Sequence, residues 1–182
     1  QTGLDVQYSG DQVQRLNQVG PARQLAISDS GTDIFERIKN GNGIFATAAN
    51  SINLGTGVID GGSVITPASL TGANYDINFN VAAGLTTYDI VNTTTGLPVS
   101  SANPYIGNST ISFDGIQVSI KGNPQNGDKF TVSPSSNQSI FKTVSDLITA
   151  LETPSSGQPG GTRLANSLST ALQSINNSLE HV

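Results

Sequence analysis

The clearest pattern in the chain is a strict alternation over residues 75–82, where Tyr75, Ile77, Phe79 and Val81 interleave with Asp76, Asn78 and Asn80. A period of two puts every second side chain on one face, so this stretch predicts a strand with one buried and one wet face. Residues 87–92 predict a second, weaker strand. Ile111-Ser112-Phe113 and residues 116–120 then flank Asp114-Gly115, a dipeptide suited to the positive φ angles of a two-residue hairpin turn. Residues 129–133 offer a further strand, entered through Asn126-Gly127. Strand character thus fills residues 43–134, which read as one compact, mainly antiparallel all-β domain.

The flanks read differently. Ala22 to Ser28 predicts a strand with Leu25 and Ile27 on one face. Thr32 or Asp33 is expected to cap a short helix, Ile34 to Lys39, stopped at Gly41-Asn42-Gly43. After Pro134 the period changes. Ile140, Phe141, Val144, Leu147, Ile148 and Leu151 repeat at helical spacing between Gln138 and Glu152, with Asn137 as the expected N-cap. Thr153 to Gly161, rich in Pro, Gly and Ser, reads as a linker, and Thr162 as the cap of a second helix. The apolar positions of that helix are Leu164, Leu168, Leu172, Ile175, Leu179 and Val182, a narrow seam of the kind used against partner helices. No Gly or Pro follows Glu180-His181-Val182, so the helix and its partners are expected to continue in a longer chain. Periodicity alone therefore divides the chain into residues 1–42, 43–134 and 135–182.

Composition narrows the class. Hydrophobic residues make up 35% of the chain and charged residues only 12%, with a net charge of -5. Disorder combines low hydrophobicity with high net charge. With charge this scarce, a folded, β-rich, uncharged-polar protein fits instead. The basic residues are scattered, so there is no cationic patch of the kind a nucleic-acid binder needs. Cysteine is absent, and with it any disulfide framework or thiolate metal site. No signal peptide is visible and no apolar run nears the roughly 20 residues that span a bilayer.

Candidate chemistry is thin. His181 is the sole histidine, so a Ser-His-Asp arrangement would have to use it, and histidine-rich metal sites are excluded by count. Asp60, Asp76, Asp89, Asp114 and Asp128 could supply a glycosidase-type carboxylate pair. Asp114 and Asp128 stand at turns, however, and Asp76 and Asp89 on wet strand faces, so a structural role is the stronger reading. Gly55-Thr56-Gly57 with Gly61-Gly62 misses the dinucleotide fingerprint, and turn glycines explain it better. The sequons at Asn92, Asn108, Asn137 and Asn176 receive no role. No catalytic, metal or cofactor residue is assigned, and no enzymatic activity, nucleic acid or membrane is expected.

Specific motifs remain. Tyr8-Ser9-Gly10-Asp11 leads to Val19-Gly20 and then to Ser28-Asp29-Ser30-Gly31-Thr32-Asp33-Ile34-Phe35. Ile59-Asp60-Gly61-Gly62-Ser63-Val64 and Ile111-Ser112-Phe113-Asp114-Gly115 follow. The longest motif, Gly122-Asn123-Pro124-Gln125-Asn126-Gly127-Asp128-Lys129-Phe130-Thr131-Val132-Ser133-Pro134-Ser135, runs into Asn137-Gln138-Ser139-Ile140-Phe141-Lys142-Thr143-Val144. Together these resemble the flagellar hook-associated protein 3 family, the hook–filament junction proteins of the flagellin family. The Gly-x-Pro-x-x-Gly-Asp-x-Phe-x-Val core of the longest motif also occurs in hook-associated protein 1. The order of a β domain followed by two helices favours protein 3.

The resemblance implies an α+β fold: a mainly antiparallel all-β outer domain at 43–134 inserted between segments of a mostly helical inner domain. Residues 1–42, with a β-hairpin and short helix, and residues 135–182, with two C-terminal helices, would form the inner part. The chain would be a central fragment lacking the terminal helices that pack along the filament axis, with the seam Leu164, Leu168, Leu172, Ile175 and Leu179 packing inside the inner domain. The implied function is that of a structural, extracellular subunit at the hook–filament junction, needed for filament assembly and motility. Export would use the flagellar type III system without a cleaved signal peptide. Implied partners are hook-associated protein 1, flagellin, copies of itself in a ring, and an export chaperone acting through the missing C-terminal helix. Hook-associated protein 1 itself, or another axial protein of the flagellin family, is the nearest alternative. A surface hydrolase and a cell-surface carbohydrate-binding or adhesin module stand further off, the latter because few aromatics are available to stack sugars.

Overall fold

The computed structural model describes residues 6, 8–10, 12–152 and 157–181. An antiparallel hairpin of β1 (Leu16–Gly20) and β2 (Arg23–Ala26) comes first, so the single strand expected from Ala22 has a partner before it. Helix α1 spans Gly31–Phe35, earlier than the sequence suggested. The reason is its cap. Ser30 Oγ accepts from Asp33 N–H at 3.1 Å, satisfying a free backbone donor one turn before Ile34. Ile38 and Lys39, expected in that helix, form strand β3 (Ile38–Lys39) instead.

The β region contains β4 (Phe45–Ala49), β5 (Val58–Ile59), β6 (Ser63–Val64), β7 (Tyr75–Ala82), β8 (Leu85–Asn92), β9 (Leu97–Pro104), β10 (Thr110–Phe113), β11 (Ile116–Lys121) and β12 (Lys129–Pro134). Five of these make one antiparallel sheet in the order β4-β12-β7-β8-β9. A smaller sheet runs β10-β11-β5, with β6 also paired to β11. The two share one core: Ile77, Phe79, Phe130 and Val132 from the larger sheet meet Ile111, Val118 and Ile120 from the smaller. Phe79 sits edge-on to both Tyr105 and Phe130, at ring-centroid distances of 5.0 and 5.7 Å. The alternation over residues 75–82 is thereby explained, since Tyr75, Ile77 and Phe79 point inward. The Asp114-Gly115 turn also forms, with φ of 42° and 79° at its two residues.

Strand β13 (Asn137–Gln138) pairs antiparallel with β3, so the chain enters and leaves the β region side by side. This overturns Asn137 as the cap of the next helix. Its backbone is taken up by the ladder, and Ser139 assumes the role: its hydroxyl accepts from Phe141 N–H at 3.2 Å. Helix α2 spans Ile140–Glu152 and helix α3 spans Gly157–His181. The expected linker is thus shorter. Gly157 to Gly161 are helical and Thr162 lies inside the helix rather than capping it. Pro159 is tolerated there because first-turn N–H groups have no intrahelical partner to lose. Residues 153–156, Asp11 and Val182 lie outside the described residues, as does the side chain of His181. Helix α3 packs against α2 and against β3, β4 and β5. The class is therefore α+β, with mostly antiparallel sheets and two C-terminal helices.

Candidate functional site

The longest sequence motif folds into a clamp. Asp128 is buried, and its carboxylate accepts from the N–H groups of Leu54 at 2.8 Å, Gly55 at 3.0 Å and Gln125 at 2.9 Å. Beside it, Asn53 donates to Lys129 O at 2.8 Å and accepts from Lys129 N–H at 2.9 Å. Gly122 has φ of 90°, and a Cβ there would meet Thr56 O at 2.3 Å. Phe130 and Val132 fill the core. The spacing of Gly, Pro, Gly, Asp, Phe and Val is thus that of a loop tied to a strand, not of a reaction centre.

The other candidate carboxylates are similarly engaged. Asp60 accepts from Gly62 N–H at 3.0 Å and Ser119 N–H at 2.9 Å. Asp76 pairs with Lys129 at 2.6 Å. Asp89 accepts from Ala102 N–H at 2.6 Å and Asn80 Nδ2 at 2.9 Å. Asp114 accepts from the Tyr75 hydroxyl at 2.7 Å. Burial first, then the Asp114 carboxylate, raises the Tyr75 pKa, while burial alone raises those of Tyr88 and, against a backbone hydrogen bond, Tyr105. Gly55 and Gly57, which miss the dinucleotide fingerprint, serve close packing: a Cβ on Gly55 would meet Asp128 at 2.4 Å, and one on Gly57 the Phe130 ring at 2.7 Å. Among the described residues no group of three or more His, Cys, Asp or Glu side chains gathers as for a metal ion. No described helix is long and apolar enough to cross a membrane.

What the fold does present is surface. The face of α3 that packs inward carries Asn166, Ala171, Ser174 and Ser178, all buried. The leucine seam lies elsewhere: Leu164, Leu168 and Ile175 are half-buried, whereas Leu172 and Leu179 are 61% and 73% exposed. On α2, Val144, Ile148 and Leu151 are exposed too, and Thr143 is the residue buried. A cleft of about 380 Å³ lies where the two helices meet β4 and the loop after it, lined by residues such as Ala48, Asn53, Thr143, Asp146 and Arg163. Nothing in the periodicity marks out the small polar face. Asn, Ser and Ala at helical spacing look like solvated positions until the strands beneath them are seen.

Comparison with known proteins fits this picture. Residues 48–134 match the D2-like domain of flagellar hook-associated protein 1. No curated protein sequence matches the chain. Among solved structures, the flagellar junction protein FlgL from Legionella pneumophila is 32% identical, with a TM-score of 0.84 over 96% of this chain and 56% of that one. FlgL from Xanthomonas campestris is 28% identical, with a TM-score of 0.84 over 96% of this chain and 55% of that one. A second Legionella pneumophila structure, described as flagellar hook-associated protein 3, agrees equally, at 32% identity and a TM-score of 0.84. The chain spans a little over half the length of these relatives. The resemblance carried by the sequence motifs therefore holds: across nearly its whole length this chain is similar to, and shares the fold of, the flagellar hook-associated protein 3 family.

Proposed function

We propose that this chain is the central part of a structural subunit that joins the bacterial flagellar hook to its filament. The observation that carries this reading is the match, over 96% of the chain, to a protein described as a flagellar junction protein. In this reading residues 1–42 and 135–182 belong to an inner, mostly helical domain, and residues 43–134 form an outward-facing β domain inserted into it. The paired strands β3 and β13 support the insertion, because entry and exit run together. Leu172, Leu179, Val144, Ile148 and Leu151 support further helix packing, since apolar side chains grouped on helix faces mark contact surfaces.

The subunit's neighbours are a hook-associated protein 1 on the hook side, flagellin on the filament side, and copies of itself around a ring. Head-to-tail contacts of this kind generate rings or open helical lattices. Export through the flagellar type III system, with a chaperone engaging a C-terminal helix, belongs to the same reading. The work is structural rather than catalytic: the relatives are structural flagellar proteins, and the candidate carboxylates are committed to turns and strands. A carbohydrate-binding module is less well supported. Phe45, Tyr75, Phe79, Tyr105, Phe113 and Phe130 all lie in the core, leaving the half-buried Tyr88 as the one partly accessible aromatic of the β region among the described residues.

Deleting and then restoring the encoding gene in the source bacterium tests the proposal. Electron microscopy should find bare hooks, with unpolymerised flagellin in the medium, and the restored gene should cure both. Normal filaments and normal swimming in the deletion strain would overturn it.

A further inference from the structure

Two asparagines of α3 reach beyond their own helix to bond backbone groups of the β region. Asn166 Oδ1 accepts from Ile59 N–H at 3.1 Å, and its Nδ2 donates to Gly57 O at 3.0 Å. A single side-chain amide thus serves both backbone groups beside the short strand β5. The same Nδ2 also donates to Thr162 O at 3.0 Å, which holds the amide in place on its helix. Farther along, Asn177 Nδ2 donates to Lys39 O at 3.1 Å and to Gly41 O. Those two carbonyls flank the point where the chain crosses from β3 into the β region. Asn166 and Asn177 lie on one face of α3, about three turns apart.

The face between them is made of small side chains. Ala171 and Ser174 are buried there, and Gly61 makes room for the Gln173 side chain, which a Cβ there would strike. Small residues let helix and strands approach closely but bury little apolar area, and hydrophobic burial is non-directional. Such a surface sets separation; it does not set register or rotation. Hydrogen bonds do, because donor and acceptor must stay aligned. The buried Asn166 amide would be left unsatisfied if it lost its partners, and the half-buried Asn177 would give up two aligned bonds, so sliding or turning the β region along α3 is opposed at two distant points. The cleft beside this face, lined by Asn166, Ala171 and Ser174 of α3 together with Ala48 and Asn53, leaves part of the contact between α3 and the β region unfilled.

We propose that Asn166 and Asn177 form an orientation clamp that fixes the angle between the β region and the helix pair. Two points about three turns apart define a direction as well as a position. Either bond alone would leave a pivot. The inference is independent of what the chain assembles with, and it stands or falls separately from the flagellar reading.

Because the chain has no cysteine of its own, spin labels can be placed at will. One would go on Asn176→Cys in α3 and one on Ser101→Cys in β9, both exposed positions. Electron–electron distance measurement on the intact chain should give one narrow peak. Adding Asn166→Ala with Asn177→Ala should replace that peak by a broad distribution, while denaturant unfolding stays cooperative. Asn166→Asp with Asn177→Asp keeps the shape but removes the amide donors, and should broaden the distribution as well. An equally narrow peak in both double variants would overturn the clamp. So would loss of cooperative unfolding in both, because the asparagines would then hold the fold rather than the angle.

Discussion

Asp128 ties together two stretches of chain that are distant in sequence. Its buried carboxylate takes three backbone N–H groups, from Leu54, Gly55 and Gln125. Hydrogen bonds to charged groups contribute about 1.5–3 kcal/mol each, and losing the acceptor leaves buried donors unsatisfied. Asp128→Ala is therefore expected to destabilise the β region by about 3 kcal/mol, read as a lower urea midpoint. Asp128→Asn should lose less, since one oxygen survives to accept. An unchanged midpoint for the alanine variant would show that the loop is held by Asn53 alone. Glycine matters at the same scale where the backbone demands it. Gly115 sits at φ of 79° with Thr66 O only 2.3 Å from where a Cβ would stand, which is why the hairpin turn needs that residue.

At the scale of elements, the two sheets of the β region close over tyrosines that ionise reluctantly. Tyr75, Tyr88 and Tyr105 all have pKa values raised above 10.0, chiefly by burial. A raised folded-state pKa means that the native state holds its phenolic protons more tightly than the unfolded chain does. Stability from these groups is thus fully present below pH 10 and is lost as pH climbs through the raised values. Chemical denaturation measured from pH 7 upward should give a flat midpoint that falls only above about pH 10. For Tyr75→Phe the alkaline fall should be shallower. A decline already under way at pH 8 would point to groups other than these.

At the scale of the whole molecule, the helices present two different faces. The inner face of α3 is small and polar and meets the strands, while Leu172 and Leu179 stand exposed. If the exposed side chains serve contacts with other helices or subunits, their loss should spare the fold. Leu172→Ser with Leu179→Ser is expected to change the unfolding free energy of this chain by under about 0.5 kcal/mol per site. In the bacterium the same pair should reduce filament number and swimming. Full motility with both serines in place would remove the seam from assembly.

Much of the β region was legible in the sequence because its signals are local. Alternation over residues 75–82, the Asp114-Gly115 turn and the helical period of α2 each follow from neighbours in the chain, and each was found where the pattern placed it. The motif around Gly122 and Asp128 was legible as a family mark, though not as a clamp. Other features depended on partners far away. Strand β9, with residues mostly exposed and a proline at each of two positions, had no pattern of its own and exists by pairing with β8. Asn137 looked like a helix cap until β3 claimed its backbone. The leucine seam is a matter of apolar spacing, and spacing cannot say which face of a helix meets a sheet. Asn166 and Asn177 bond residues more than a hundred positions away in the chain, as only the folded arrangement reveals. Periodicity and turn chemistry are written into adjacent residues, so the sequence alone determined them. Which surfaces meet was decided only by the tertiary structure, because long-range hydrogen bonds leave no local trace.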